Sequence, residues 1–335
     1  YIKALLAAGL TPFGQTNAPE FGFKNISDAA LYGDTRNVWN SAYYSGGSSG
    51  GAASAVAAGI FPMAGASDGG GSIRIPASFS GLIGLKMTRG RMPQGPSNYR
   101  GWQGASTSGA LTVSVRDTAS FLAEMQTFQE ADPYQAPMLD KTTLHHLTEI
   151  DRPLTIAFST ATPISGIDIS ETAKAALHKT VDFLKSQGHQ VTEIAFPLDA
   201  RALIRTYYQM NAAETLAMLQ PWEAAQGRKI SLDDVEPLTY ALLEAGRKAD
   251  TASYVQALNA WDAACATFDD KIFKHYDFFL TPTTAKTAPK IGEAFISSEL
   301  LEKMADISRY DFPEQTDIIE QAFETFLTFS PYTFI

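Results

Sequence analysis

Two runs of glycine and serine constrain this chain more than any other feature: Ser45-Gly46-Gly47-Ser48-Ser49-Gly50-Gly51 and Asp68-Gly69-Gly70-Gly71-Ser72-Ile73-Arg74-Ile75-Pro76. Glycines in such runs allow positive φ and close backbone approach, so successive N–H groups can converge on one anion. A hydroxyl at the end of the second run, Ser72, then sits where its oxygen can attack a carbonyl carbon. The amides of Gly69, Gly70, Gly71 and Ser72 would hold the charge that develops on the carbonyl oxygen, an oxyanion hole. Losing one such donor typically costs roughly 3 kcal/mol of transition-state stabilisation. A phosphate loop would need a lysine after its last glycine, and neither run has one. One glycine-rich turn alone reads as a flexible loop. Two runs, a small-residue helical pattern from Ala52 to Ala58 between them, and the Asp68 to Arg74 frame favour the catalytic reading, with Asp68 and Arg74 expected to pair and hold the loop.

The rest of the chain reads as α/β. Hydrophobic residues make up 45% and charged residues 19%, enough apolar side chain for one large core or two moderate ones. With 36 acidic against 26 basic residues the net charge is -10, which excludes a general nucleic-acid binder. The most apolar stretch, Ala52 to Ala66, is broken by Ser54, Gly59, Pro62 and Gly65, short of the roughly 20 apolar residues of a membrane span, so no membrane partner is expected. Cys265 is the one cysteine, which excludes an intrachain disulfide and a thiolate metal cluster and suits a reducing, cytoplasmic setting. No metal or other cofactor is expected, since hydroxyl chemistry needs none. Asp233-Asp234 with Glu236 reads as an acidic helix start.

Periodicity fills in the second half. Leu154 to Phe158 predicts a buried strand, Ser170 to Gln187 an amphipathic helix stopping at Gly188, and Gln190 to Phe196 a second strand. Helical patterns follow at Leu203 to Leu219 and Ala252 to Phe273, then a short strand at Phe278 to Leu280.

The residues resemble one known family, the amidase signature enzymes. Gly46-Gly47-Ser48-Ser49-Gly50-Gly51, Gly65-Ala66-Ser67-Asp68, Gly70-Gly71-Ser72-Ile73-Arg74, Pro76-Ala77 and Gly84-Leu85-Lys86-Met87-Thr88-Arg89-Gly90-Arg91 follow that signature in unbroken order. Gly14-Gln15-Thr16-Asn17, Glu20-Phe21, Tyr32-Gly33 and Thr35-Arg36-Asn37 also resemble it. The likeness is close over residues 1–125, read as the signature core, with 126–335 the helical and α/β remainder of one domain. Asp277 to Glu293 resembles a later family segment, and Gly227 to Ala249 the branch named for 6-aminohexanoate cyclic dimer hydrolase. The resemblance implies a mixed twisted sheet covered by helices, an α/β/α fold, and hydrolysis of a small-molecule amide through an acyl-enzyme.

It also implies a Ser–cis-Ser–Lys triad, in which Ser72 is the nucleophile. Ser48, after a cis peptide at Gly47, passes the proton between Ser72 and a lysine, and Ser49 supports the network. A buried, uncharged lysine can act as base because desolvation lowers its pKa. Here the chain departs from the pattern. The family lysine belongs to a Lys-Asp strand well upstream, and no Lys-Asp pair precedes Ser48. Lys3 and Lys24 are expected to be solvated surface charges, Lys86 matches the structural lysine of the signature, and Gln15 stands where the family often has lysine. The chain is therefore expected to be a piece, cut before Tyr1 and again after Ile335, where the aromatic run Phe323 to Ile335 stops without a polar cap, and to have little activity alone.

Three other readings stay open. Gly46-Gly47-Ser48-Ser49-Gly50 and Gly47-Ser48-Ser49-Gly50-Gly51 both satisfy Gly-x-Ser-x-Gly, the nucleophile elbow of an α/β-hydrolase esterase using Ser48 or Ser49. It needs an apolar strand before it and a partner among His145, His146, His178, His189 and His275; Asn37 to Ser45 reads as loop. The chain could also be the amidase-type subunit of a tRNA-dependent amidotransferase, bound to partner subunits, or an inactive scaffold. Tyr43, Tyr44 and Trp102 are candidates to line an acyl pocket.

Overall fold

Serine or aspartate marks where six of the described helices begin. The side chains of Ser114, Asp140, Ser170, Asp250, Ser297 and Asp311 each accept a hydrogen bond from the backbone N–H three residues on, satisfying a donor that has no partner within the helix. At Asp311 the return bond from Glu314 completes a capping box. The computed structural model describes residues 1–147, 150–293 and 295–334. They fall into two units, Tyr1–Asp151 with Ala288–Gly292, and Arg152–Thr287 with Glu293–Thr333.

In the first unit, helix α1 (Ile2–Ala7) precedes a small antiparallel pair, β1 (Asp28–Ala29) and β2 (Gly33–Asp34). Helix α2 (Gly50–Ala57) leads to β3 (Met63–Asp68), α3 (Arg74–Ser80), β4 (Ile83–Gly84), β5 (Thr107–Thr112), α4 (Val115–Met125) and α5 (Lys141–His145). Strand β5 is central in an antiparallel sheet of order β3-β5-β4, with Met63 opposite Thr112 and Asp68 opposite Thr107. Successive residues of β5 point to opposite faces. Leu111 packs with Ala52, Ala53, Ile73 and Ala77 of the α2 and α3 side, and Ala110 with Met87, Met92, Phe121, Leu122 and Met125. The α2–α3 layer matters for the site, because both glycine runs enter it.

The second unit opens with the expected strand, helix, strand: β6 (Thr155–Phe158), α6 (Glu171–Ser186) and β7 (Gln190–Glu193). Leu177 and Val181 of α6 pack on Phe158. Helices α7 (Arg201–Gln226), α8 (Pro237–Lys248) and α9 (Thr251–Phe268) follow, then β8 (Phe278–Leu280), α10 (Ser298–Ala305) and α11 (Phe312–Phe329). The sheet is parallel, of order β7-β6-β8.

The α/β class holds, with helices on the sheets. Three boundaries moved, each for a local reason. Strand β7 ends at Glu193 rather than Phe196 because its partner β6 ends at Phe158, opposite Glu193. Helix α7 continues past Leu219, through Pro221, to a stop at Gly227, whose φ of 66° is the left-handed cap that periodicity alone did not reveal. Helix α9 ends at Phe268 and widens into a π-helical turn over Asp269–Phe273. Asp234 does lie just before a helix, but its carboxylate is held by both terminal nitrogens of Arg228. Ile335, the end of the aromatic run, lies outside the described residues. Among the described residues no helix is long and apolar enough to cross a membrane.

Helices α7 and α8 meet where Gly246 lies against the backbone of Ala212: a Cβ on Gly246 would come within 2.2 Å of the Ala212 carbonyl oxygen. Backbone cannot yield as a flexible side chain does, so this position requires glycine. Gly246→Val is expected to lower stability by about 1 to 3 kcal/mol in urea unfolding, the usual effect of overpacking; an unchanged midpoint would contradict this packing.

Candidate active site

Strand β3 delivers Asp68 into the interior at the mouth of the second glycine run, where its side chain is 0% exposed. A buried carboxylate is tolerated only if its oxygens are paired and hydrogen-bonded. Arg74, the first residue of α3, meets it with two parallel bonds, Nε to Oδ2 at 2.9 Å and Nη2 to Oδ1 at 2.8 Å. The backbone N–H groups of Gly71, Ile73 and Arg74 add bonds of 2.8, 3.1 and 3.2 Å. Burial raises the Asp68 pKa, but the Arg74 bonds and charge, with help from Lys86 and Gly71, bring it below the ordinary value. The pairing expected of Asp68 and Arg74 is thus present, and it wraps the loop that carries Ser72.

That wrapping changes the expected donor set. The Gly71 amide is directed at Asp68, so it is not available to an oxyanion in this arrangement, a correction to the four-donor expectation. Among the described residues the N–H groups of Gly69 and Ser72 have no protein acceptor. Ser72 itself is 7% exposed.

The first run is shaped by backbone contact. The Gly47–Ser48 peptide is cis. A Cβ on Gly47 would fall 2.5 Å from the carbonyl carbon of Ile26, so only glycine fits. Ser27 donates its hydroxyl to the Ser48 carbonyl at 3.0 Å and accepts from the Gly50 N–H at 3.1 Å, tying the start of α2 to the Ser48 loop. The two runs meet where the Ser49 N–H donates to the Ser72 carbonyl at 3.3 Å. A cavity of about 440 Å³ opens on Ser48 and Ser49, walled also by Asn17, Phe21 and Gly22; Ser72 is not part of its wall. Gly22 faces Ser48 so closely that a Cβ there would sit 3.3 Å from Ser48 Oγ.

The lysines sort differently from expectation in one case. Lys3 is exposed on α1. Lys24 is not a solvated surface charge: it is 8% exposed and its Nζ lies 2.7 Å from Asp28 Oδ1. The partner is four residues away in a stretch that is not helical, so no helical spacing announced it. Lys86 is half-buried, and burial lowers its pKa to about 8, partly opposed by Asp68 and reinforced by Arg74 and Arg89.

Of the aromatic candidates, Trp102 reaches the loop: its ring occupies the space a Cβ on Gly69 would need, 2.5 Å from Cε3, and stacks on Phe23 at 6.1 Å. Tyr44 is buried with its hydroxyl on Asp34 at 3.1 Å, and burial, then Asp34, raises its pKa to about 12, a packing role. Tyr43 forms an isolated bridge with Lys290. The esterase reading finds no support. None of the five histidines hydrogen-bonds Ser48, Ser49 or Ser72: His145 pairs with Glu124, and His189 accepts from the Leu154 N–H. No strand leads into Ser48, only the isolated bridges at Tyr43 and Tyr44. Gly22, Phe23 and Ser27 were missed as site residues, although they follow the Glu20-Phe21 segment that carries part of the family likeness.

Two predictions follow from the charges. Because the Asp68 pKa is depressed in the folded state, its contribution is fully present above about pH 4, the unfolded value, and fades as pH falls through the folded value. Asp68→Ala, which strands Arg74, should cost about 3 to 5 kcal/mol in denaturant unfolding at pH 7; a loss below 1 kcal/mol would contradict the account. Lys86 also has a depressed folded pKa but is a base, so the unfolded chain keeps the proton longer and stability should rise between about pH 8 and 10.5. Lys86→Met should flatten that rise in a pH series of unfolding midpoints.

Comparison with known proteins identifies the family. The Amidase family model matches residues 1–318. A lipoamidase from Enterococcus faecalis is 37% identical over 337 residues, covering 99% of this chain but 43% of its own length. Among solved structures, 6-aminohexanoate cyclic dimer hydrolase superposes with a TM-score of 0.81 at 27% identity, over 95% of this chain and 68% of that one. A bacterial aryl acylamidase of the amidase signature family gives 0.77 at 26% identity, over 87% and 59%. The chain thus spans less than half the length of the lipoamidase it matches. With the family model over residues 1–318 and a relative 37% identical across 99% of the chain, the chain belongs to the Amidase family.

Proposed function

We propose that this chain is the core of an enzyme that hydrolyses a carbon–nitrogen amide bond through an acyl-enzyme on Ser72. The observation that carries the reading is the loop itself: a serine at the end of a glycine run, with its backbone held by a five-fold hydrogen-bonded carboxylate and with the Gly69 and Ser72 amides unclaimed. In the first step Ser72 Oγ bonds to the amide carbon, the carbonyl electron pair moves to oxygen, and those two amides receive the oxyanion. The Ser72 proton passes by way of the Ser48 hydroxyl to a base. The C–N bond then breaks as the leaving amine takes up that proton through Ser48, and water releases the acid by the same steps in reverse. Ser49 supports the relay through its backbone bond to Ser72.

The base is the part this chain does not supply. Lys24 is ion-paired with Asp28, and Lys86 is drawn toward Asp68 and matches the structural lysine of the signature. We assign the role to a lysine outside these 335 residues, in keeping with the share of the lipoamidase that the chain spans. The relatives named lipoamidase and 6-aminohexanoate cyclic dimer hydrolase favour amides of aliphatic acids as substrates. The single, exposed cysteine suits a reducing compartment, and we place the enzyme in the cytoplasm.

The test is amide hydrolysis by this chain expressed alone and joined to the coding sequence upstream of Tyr1. The joined protein should turn over, and Ser72→Ala should cost it roughly a thousandfold or more in kcat. Equal activity with and without the upstream sequence would contradict the lysine assignment, and an active Ser72→Ala variant would contradict the nucleophile.

A further inference from the structure

We propose that Arg89 and Arg100, held against the ring of Tyr134 and linked to the nucleophile loop through Trp102, bind a carboxylate carried by the substrate. This rests on reading Ser72 as the nucleophile and adds a substrate class to it.

Two cations near this loop have no ion-pair partner among the described residues. The guanidinium carbons of Arg89 and Arg100 lie 5.4 and 5.8 Å from the centroid of Tyr134. Neither side chain makes a hydrogen bond or an ion pair with any described residue, although the chain as a whole carries ten more acidic than basic residues' worth of charge. Arg89 is also close enough to Lys86 to help depress its pKa; of the buried carboxylates nearby, Asp68 is already engaged by Arg74, and Asp132 accepts from the Tyr134 N–H at 2.9 Å and forms an ion pair with neither arginine. The surroundings of the nucleophile loop are therefore positive on balance.

Two cations against one aromatic ring could be plain solvated surface. Their anchoring argues otherwise. Tyr134 is fixed by its hydroxyl, which donates to the Gln103 carbonyl at 2.7 Å. A Cβ on Gly104 would lie 2.7 Å from the Tyr134 ring and 3.2 Å from Arg89 Cδ, so ring and arginine stem pack directly on the 101–104 turn. In that turn Trp102 and Gln103 adopt φ of 48° and 50°, left-handed values that non-glycine residues hold only where their surroundings enforce them, commonly at ligand sites. Trp102 then contacts Gly69. One short turn thus ties the nucleophile loop to both arginines.

A guanidinium resting on a ring keeps its planar fork available and has lost part of its rotamer freedom before a ligand arrives, which suits bidentate capture of a carboxylate. Arg100 is two positions from Trp102, at most about 7 Å between Cα atoms. The acid group of a ligand should then lie a few bonds from the scissile amide, on its amine or its acyl portion.

Calorimetric titration of the whole chain at low salt with two matched pairs distinguishes the two cases. Hexanoylglycine against N-propylhexanamide places the carboxylate on the amine side; adipic acid monoamide against hexanamide places it on the acyl side. In at least one pair the acid should bind about tenfold tighter than its neutral partner. Arg89→Gln and Arg100→Gln should each reduce that advantage severalfold, whereas Arg116→Gln, at an exposed position of α4, should leave it intact. Equal binding within both pairs, no binding by either acid, or an advantage that survives both substitutions overturns the proposal. Because binding is read without turnover, an inactive protein or a failed Ser72 assignment shows in the hydrolysis assay and leaves this result interpretable.

Discussion

The carboxylate of Asp68 organises the site. It lies at the end of β3 with no exposure to solvent, and its two oxygens accept from the Arg74 guanidinium and from three backbone amides of the turn that follows. An unpaired charge in that position would be untenable, so the turn has one way to close: bring Gly71, Ile73 and Arg74 around the carboxylate and start α3 there. Ser72 is carried into place as a member of that turn. Its position follows from the needs of Asp68 rather than from contacts of its own hydroxyl.

A second constraint brings the other serine alongside. The Ser48 loop is pressed against the 22–27 segment so tightly that Gly47 admits no side chain, and Ser27 bonds to the Ser48 carbonyl and to the Gly50 N–H. The Ser49 N–H then reaches the Ser72 carbonyl. The serines of the two runs are therefore coupled through backbone, which does not rearrange as freely as side chains do. That coupling suits a proton relay, where small displacements are costly.

How much of this was legible in the sequence depends on how far each feature reaches along the chain. The glycine runs, the Asp68–Arg74 pair and the strand, helix, strand of the second unit are local patterns, and all were readable. Gly22 and Ser27 were not, because their relation to Ser48 exists only once segments more than 20 positions apart are packed together. The direction of the Gly71 amide was missed for a related reason: glycine identity says that an N–H can point inward, but the nearby Asp68 decides where. Lys24 was misjudged because its counter-ion Asp28 opens strand β1 after a loop rather than sharing a helix with it, so i to i+4 spacing carries no helical meaning there. In α7 the periodic signal weakened before the helix did, and Gly227 supplied the true stop.

The central claim is that Ser72, and no other serine of the two runs, is the nucleophile. Reaction with a fluorophosphonate, followed by peptide mapping, tests it most directly. The account predicts a phosphonyl adduct on Ser72 that disappears in Ser72→Ala. An adduct on Ser48 or Ser49, or equal labelling of the Ser72→Ala variant, would contradict it.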